Sequence, residues 1–188
     1  MSEKQISDFL DRKLERRFRT YDLDGDGFIE RSDFQLAVDG MAREYNLSAD
    51  DKKLQQLTEL FLGLWDRLAA AADRDGDGRV TLAEYKTAFN AGMLETPESF
   101  DAGYVPFLDA IMDIADVDND GRLTPVEHAR WIKALMSVPA EHAEVIGRRL
   151  DADGDGYIDR TEILNAIRAY YFDEAPDSAG SWLLGPLP

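Results

Sequence analysis

The sequence predicts an all-α protein, four helix–loop–helix units arranged as two pairs in a compact two-lobed globule. Three observations carry that prediction. A twelve-residue acidic segment recurs four times without gaps: DLDGDGFIERSD at 22–33, DRDGDGRVTLAE at 73–84, DVDNDGRLTPVE at 116–127 and DADGDGYIDRTE at 151–162. Apolar residues at helical spacing precede every copy. A helix-capping pattern closes three of the four.

The spacing within the repeat has a chemical reason. A hard divalent cation takes six to eight oxygens at about 2.3–2.6 Å. Asp at positions 1, 3 and 5 of a tight loop turns three short carboxylates toward one centre. Gly at position 6 (Gly27, Gly78, Gly121, Gly156) takes backbone angles that a Cβ resists. Position 7 supplies only its main-chain carbonyl, so its side chain is free to vary. A carboxylate closes the loop at position 12. This is the EF-hand calcium loop, and four copies predict up to four Ca2+. The candidate ligands are Asp22, Asp24, Asp26, Phe28 and Asp33; Asp73, Asp75, Asp77, Arg79 and Glu84; Asp116, Asp118, Asp120, Arg122 and Glu127; and Asp151, Asp153, Asp155, Tyr157 and Glu162. Asp33 is one methylene shorter than its three Glu equivalents. A smaller, six-oxygen cage follows, which makes the first loop the expected site of Mg2+, with Glu30 at position 9 a subsidiary ligand.

The remaining elements follow in chain order. Ile6, Leu10, Leu14, Phe18 and Tyr21 predict the helix entering the first loop. Leu54, Leu57, Phe61, Leu64 and Leu68 predict the second, behind a cap at Ser48 with Asp51 three residues on. Phe107, Ile111 and Ile114 lead into the third loop, and Val145, Ile146 and Leu150 into the fourth. Leaving the loops, Thr81/Glu84, Thr124/Glu127 and Asp159/Glu162 read as capping boxes, with Pro125 at a first helical position. The position-8 residues Ile29, Val80, Leu123 and Ile158 point inward and predict a short two-stranded ribbon in each pair. Gly92, Thr96, Pro97 and Gly103 mark a linker between pairs. The expected organisation is an N-terminal pair over 1–94, a C-terminal pair over 95–173 and a tail over 174–188. In that tail Pro176, Gly180, Gly185, Pro186 and Pro188 stop a helix, and Asp177 and Ser178 read as turn. Trp182, Leu183, Leu184 and Leu187 are apolar enough to dock, in the cleft between the pairs.

Charge and composition narrow the function. The chain carries 38 acidic and 21 basic residues for a net charge of −17, and 18 of the acids fall inside the four loops. Nucleic acid and anionic membrane surfaces are therefore excluded as partners. With no Cys there is no thiolate metal site, thiol nucleophile or disulfide. A signal peptide, a membrane span and a myristoylation start are not expected, which places the protein in the cytoplasm as a monomer. The basic residues Arg12, Lys13, Arg16, Arg17 and Arg19 are interleaved with acids and predict a solvated, self-paired helix face. His128 and His142 read as surface or helix-end residues, and Trp65 and Trp131 as core. GxxxxGK, GxSxG and HExxH are all missing, so no enzyme is predicted.

The wide spacing between the first two loops, Asp33 at position 12 and the chain length resemble the sarcoplasmic calcium-binding proteins and bacterial calerythrin-type proteins. Many members have a degenerate second loop, whereas here Asp73, Asp75, Asp77 and Glu84 are all present. The resemblance implies a calcium buffer, with folding coupled to ion binding. Two alternatives stand beside it. A calcium sensor would expose a Met-rich groove to a target protein, and the five Met here are scattered. A photoprotein of the aequorin type shares the architecture but holds its chromophore with His–Trp–Tyr clusters, which two His supply poorly.

Overall fold

The computed structural model describes residues 7–94, 96, 100–176 and 178–187. Ile6, Pro97, Asp177 and Pro188, each given a part in the sequence analysis, lie outside them. Helices flank each of the four loops. They are α1 (Asp8–Tyr21) and α2 (Arg31–Tyr45), α3 (Lys52–Ala72) and α4 (Leu82–Asn90), α5 (Phe100–Ala115) and α6 (Pro125–Met136), and α7 (Ala140–Leu150) and α8 (Arg160–Phe172). Strands β1 (Phe28–Ile29) and β2 (Val80–Thr81) pair antiparallel, as do β3 (Arg122–Leu123) and β4 (Ile158–Asp159). The register puts Ile29 opposite Val80 and Leu123 opposite Ile158, all four fully buried. The loops therefore pair first with second and third with fourth, through the position-8 residues.

Most local signals act as the sequence predicts. Thr81, Thr124 and Asp159 each cap their helix and take part in a capping box with the acid three residues on. Two boundaries differ. Helix α3 is capped by Asp51, which accepts from the backbone N–H of Lys53 and Leu54, while Ser48 turns its hydroxyl to Asp50. Both residues are good caps; the tighter turn at 48–51 selects the later one. Gly103, expected in the linker, lies inside α5.

The two pairs share one hydrophobic core, from Leu14 and Phe34 through Phe61 and Phe107 to Trp131 and Ile163. The Phe61 and Phe107 rings stack across the seam, with centroids 4.9 Å apart. At another crossing, a Cβ on Gly40 of α2 would come 2.2 Å from the backbone oxygen of Ala134 in α6. Only glycine lets these two helices approach so closely. Beside it Arg130 of α6 binds the Glu44 carboxylate at 3.0 Å and the Glu44 carbonyl at 3.1 Å.

The basic face of α1 is not the solvated surface that its interleaved acids suggest. Arg12 and Arg19 keep that character, both exposed and Arg19 paired to Glu15. Lys13 is fully buried, and its ammonium donates to the carbonyls of Asp173 (2.6 Å) and Ala169 (3.3 Å) at the C-terminal end of α8. A cation there meets the unpaired carbonyls and the negative end of the helix dipole. The Tyr170 hydroxyl donates back to the Lys13 carbonyl. Arg17 is buried against Tyr21, its guanidinium 4.2 Å from the ring centroid. Local charge alternation could not reveal the burial of Lys13, because its partners are some 160 residues away in sequence. His128 corrects a second expectation. It is buried edge-on to Trp131, and burial pushes its imidazole down to about 3, so it is neutral in the folded protein. Trp65 and Trp131 are core residues.

After α8 the tail makes a 3-10 turn at Ala179–Trp182 that lies on α8 and touches α7, and beyond it Leu183 and Leu184 line a small gap with Arg17 of α1 and Phe107 of α5. A Cβ on Gly180 would stand 2.3 Å from the Tyr170 nitrogen, so its absence lets backbone pack on backbone. Leu184 is buried with Phe100, Tyr104, Tyr170 and Tyr171, Trp182 lies under the Arg149 guanidinium, and Arg16 of α1 donates to the Leu184 carbonyl at 2.6 Å. A cavity of about 460 Å³ opens between the pairs, lined mainly by apolar and aromatic residues including Leu60, Leu64, Tyr85, Phe100 and Phe107. No helix among the described residues is long and apolar enough to cross a membrane.

Two outcomes follow from this packing. Lys13→Met strands the α8 carbonyls and is expected to lower unfolding free energy by about 1–3 kcal/mol in urea titrations. Arg19→Ala on the same helix should change it by less than about 0.5 kcal/mol. Deleting 181–188 removes Leu184 and the Arg16 contact, so the melting temperature should fall and an apolar dye should bind the calcium-loaded protein. An unchanged melt with no dye binding would show that the tail contributes nothing.

Candidate metal centres

Each loop is shaped by its own acids before any ion is considered. The first Asp accepts from the backbone N–H of the position-6 glycine in every loop: Gly27 to Asp22 (3.1 Å), Gly78 to Asp73 (3.1 Å), Gly121 to Asp116 (2.8 Å) and Gly156 to Asp151 (3.1 Å). The position-3 Asp accepts from the N–H two residues on, and the position-5 Asp does the same: Phe28 to Asp26, Arg79 to Asp77, Arg122 to Asp120 and Tyr157 to Asp155. These bonds hold the carboxylates in place against their mutual repulsion. The position-6 glycines have φ between +84° and +92°. Position 4 is left-handed too, with Gly in three loops and Asn119 (φ 59°) in the third, a requirement not noticed in the sequence.

The carboxylate at position 12 joins loop to helix. Glu84 accepts from Arg74 N–H with one oxygen and from Thr81 N–H with the other; Glu127 accepts from Val117 and Thr124, and Glu162 from Ala152 and Asp159. Asp33 makes the same two connections despite its shorter chain, to Leu23 (3.0 Å) and Glu30 (2.8 Å). It completes a capping box with Glu30 that the sequence reading passed over. The shorter arm draws it inward, to only 2% exposure. Burial raises its carboxyl above the ordinary range, partly offset by the N–H donors of Glu30, Asp24 and Leu23. Glu84 lies below its ordinary value, chiefly through the Thr81 N–H. Burial pushes Glu127 up, but the N–H groups of Thr124 and Val117 outweigh it and leave it lowered. Asp118 is raised, by desolvation and by the Asp120 charge.

Four groups of three carboxylates result, each with one oxygen per residue and all those oxygens within 4.8 Å of one another. They are Asp22, Asp24 and Asp33; Asp73, Asp75 and Glu84; Asp116, Asp118 and Glu127; and Asp151, Asp153 and Glu162. Such all-oxygen, anionic sets suit a hard divalent cation and give no preference to thiophilic metals. The position-5 acids Asp26, Asp77, Asp120 and Asp155 are not in these tight groups, though they sit in the same loops. Of the position-7 residues, Phe28 and Arg122 lie on the ribbons, and Arg79 and Tyr157 immediately precede one. Glu30 is engaged elsewhere, 2.8 Å from Arg79 of the neighbouring loop. The side chains of Arg79 and Arg122 are the features of the site that sequence reasoning missed. The available signal was an Arg at position 7 of one loop opposite an aromatic at position 7 of its partner.

The chain is similar to known EF-hand proteins. The profile of an EF-hand domain pair matches residues 11–90, and that of a single EF hand matches 148–166. Calerythrin of Saccharopolyspora erythraea is 31% identical over 161 residues, covering 85% of this chain and 90% of that protein. Sarcoplasmic calcium-binding protein 1 of Astacus leptodactylus is 29% identical over 174 residues, 89% of this chain and 90% of its own. Among solved structures, a Streptomyces coelicolor calcium-binding protein, described in connection with prokaryotic calcium-mediated regulation, superimposes with a TM-score of 0.76. It is 38% identical over 86% of this chain and 97% of its own.

Proposed function

Because the chain belongs to the EF-hand calcium-binding proteins of calerythrin and sarcoplasmic type, we propose that it is a calcium buffer, loosened without ions and closed when loaded, whose folding is coupled to ion uptake. The ligands are the position 1, 3, 5 and 12 carboxylates and the position-7 carbonyls of all four loops. The observation that carries the reading is the use of apolar helix faces inside the molecule. One core joins both pairs, and Leu184 with its Arg16 contact covers the aromatic cluster of α5 and α8. A sensor keeps such faces for its target. The cytoplasm is the compartment proposed, and a monomer the state.

The cavity between the pairs favours a second reading, in which an apolar side chain of a target protein enters beside Tyr85 and Phe107. The relationship to the Streptomyces protein points the same way. Apolar-dye fluorescence separates the readings: a buffer loses dye on adding calcium, a sensor gains it.

Ion and fold are coupled through charge. Two unit charges 4 Å apart repel by about 4 kcal/mol at an effective dielectric of 20. Several such pairs rival a domain's whole stability of about 5–15 kcal/mol. Four Ca2+ would bring the net charge from −17 to −9. Excess chelator should therefore lower the melting temperature steeply, and a melt that hardly moves would overturn the coupling.

The first loop is proposed as the most magnesium-tolerant of the four. Its carboxylate at position 12 is short and already anchored on both oxygens. Calorimetric titration with calcium, with and without millimolar magnesium, should show four sites, one of them strongly competed. Asp33→Glu should restore calcium preference at that site, and an unchanged calcium-to-magnesium ratio would count against the assignment.

A further inference from the structure

The position-7 side chains lie at related places in the two ribbons. In the first pair, Arg79 of the second loop holds its guanidinium 5.0 Å from the ring centroid of Phe28, position 7 of the first loop. Its Nε is 2.8 Å from Glu30 Oε1. In the second pair, Arg122 of the third loop lies 3.9 Å over the ring of Tyr157, position 7 of the fourth. Its Nη1 is 3.2 Å from Asp155 Oδ2 and its Nη2 3.4 Å from Asp120 Oδ2. An arginine thus stacks on the partner loop's aromatic and binds the partner loop's acid, once in each pair.

We propose that Arg79 and Arg122 are affinity-setting residues for calcium, resident cations that tie the two loops of each pair together and hold their affinity for the ion down. The inference rests on the loop assignment above and adds to it two residues whose side chains touch no ion. A guanidinium stacked on a ring is fixed in plane and cannot be deprotonated. Both arginines are about half exposed, so their ion pairs contribute little to stability. Their effect on an arriving ion is larger, because a fixed positive charge repels a divalent cation twice as strongly as a monovalent one. Arg122 also engages Asp120 and Asp155, the two position-5 acids of its pair, which stand outside the tight groups of positions 1, 3 and 12. An ion that recruits those carboxylates must share them with the guanidinium. In the first pair Arg79 engages Glu30, at position 9, and acts by charge alone.

The role predicts the opposite sign from a strut. If the arginines only brace the ribbon, removing one loosens the loops and weakens ion binding. If they are counter-cations, removing one strengthens it. Calcium titration of the full chain by calorimetry at low ionic strength separates the two. Arg122→Gln should tighten two of the four sites by roughly 3- to 10-fold, a gain that shrinks as salt screens the charge. Arg79→Gln should tighten the other two. Arg122→Lys keeps the charge and should stay close to wild type, which a role in stacking or fork geometry would not allow. Unchanged or weaker calcium binding by Arg122→Gln, with the wild-type chain taking up its ions normally, overturns the inference alone. A wild-type chain that takes up no calcium would overturn the loop assignment and the inference with it.

Discussion

Carboxylates brought within 4.8 Å of one another repel, and this chain carries four such groups. The protein answers with backbone N–H groups. Almost every loop carboxylate takes at least one, and those at position 12 take one on each oxygen, from the start of the loop and from the cap of the next helix. Hydrogen bonds from N–H to a charged acceptor are the stronger kind. They fix the acids in place without neutralising them. The charge is left for a cation, and because the same carboxylate caps the exiting helix, an ion that polarises it acts directly on a helix terminus. The link from metal to fold is a single side chain in each loop.

The second organising feature is how an acidic protein uses its few cations. Lys13 closes the C-terminal end of α8, Arg16 holds the tail, Arg17 is buried against Tyr21 and Arg130 reaches across to Glu44. Lys13, Arg16 and Arg130 lie at junctions between elements distant in sequence. With the Gly40–Ala134 approach and the Phe61–Phe107 stack they make the two pairs one packed body. Helix α1, which enters the first loop, is fastened to α8, which leaves the fourth. A change at one end of the chain is therefore felt at the other without passing through the intervening sequence.

What the sequence made legible was whatever depends on fixed offsets. Loop positions, capping boxes, Pro125 and the pairing of Ile29 with Val80 and Leu123 with Ile158 all follow from spacing, because their partners lie within one twelve-residue repeat or share a repeat position. The failures share the opposite property. Lys13 looked solvated because its neighbours in the helix are acids, while the groups that bind it lie on α8. His128 looked like a surface residue until Trp131 and α7 closed over it. That the tail packs was legible from its apolar residues, but its seat on α8 was not, since the small size of Gly180 matters only once Tyr170 is underneath. Between Ser48 and Asp51 the sequence offered two good caps, and the turn decided.

Asp33 shows how these levels meet in one residue. Its missing methylene was read as a change in ion preference, and that is the local half of its effect. The other half comes from packing. To make the same two anchors as a Glu, Asp33 is drawn under the loop, beside Arg17, Thr20 and Phe34, and borders a small gap that also touches Leu135 and Met136 of α6. Its carboxyl is raised by that burial, whereas Glu84 and Glu127 are lowered by their N–H donors. A buried carboxylate costs more to ionise than an exposed one. An ion in the first loop meets that buried carboxylate at the seam between the two pairs. The loop with the shortest ligand is thus the one placed to bind the halves together.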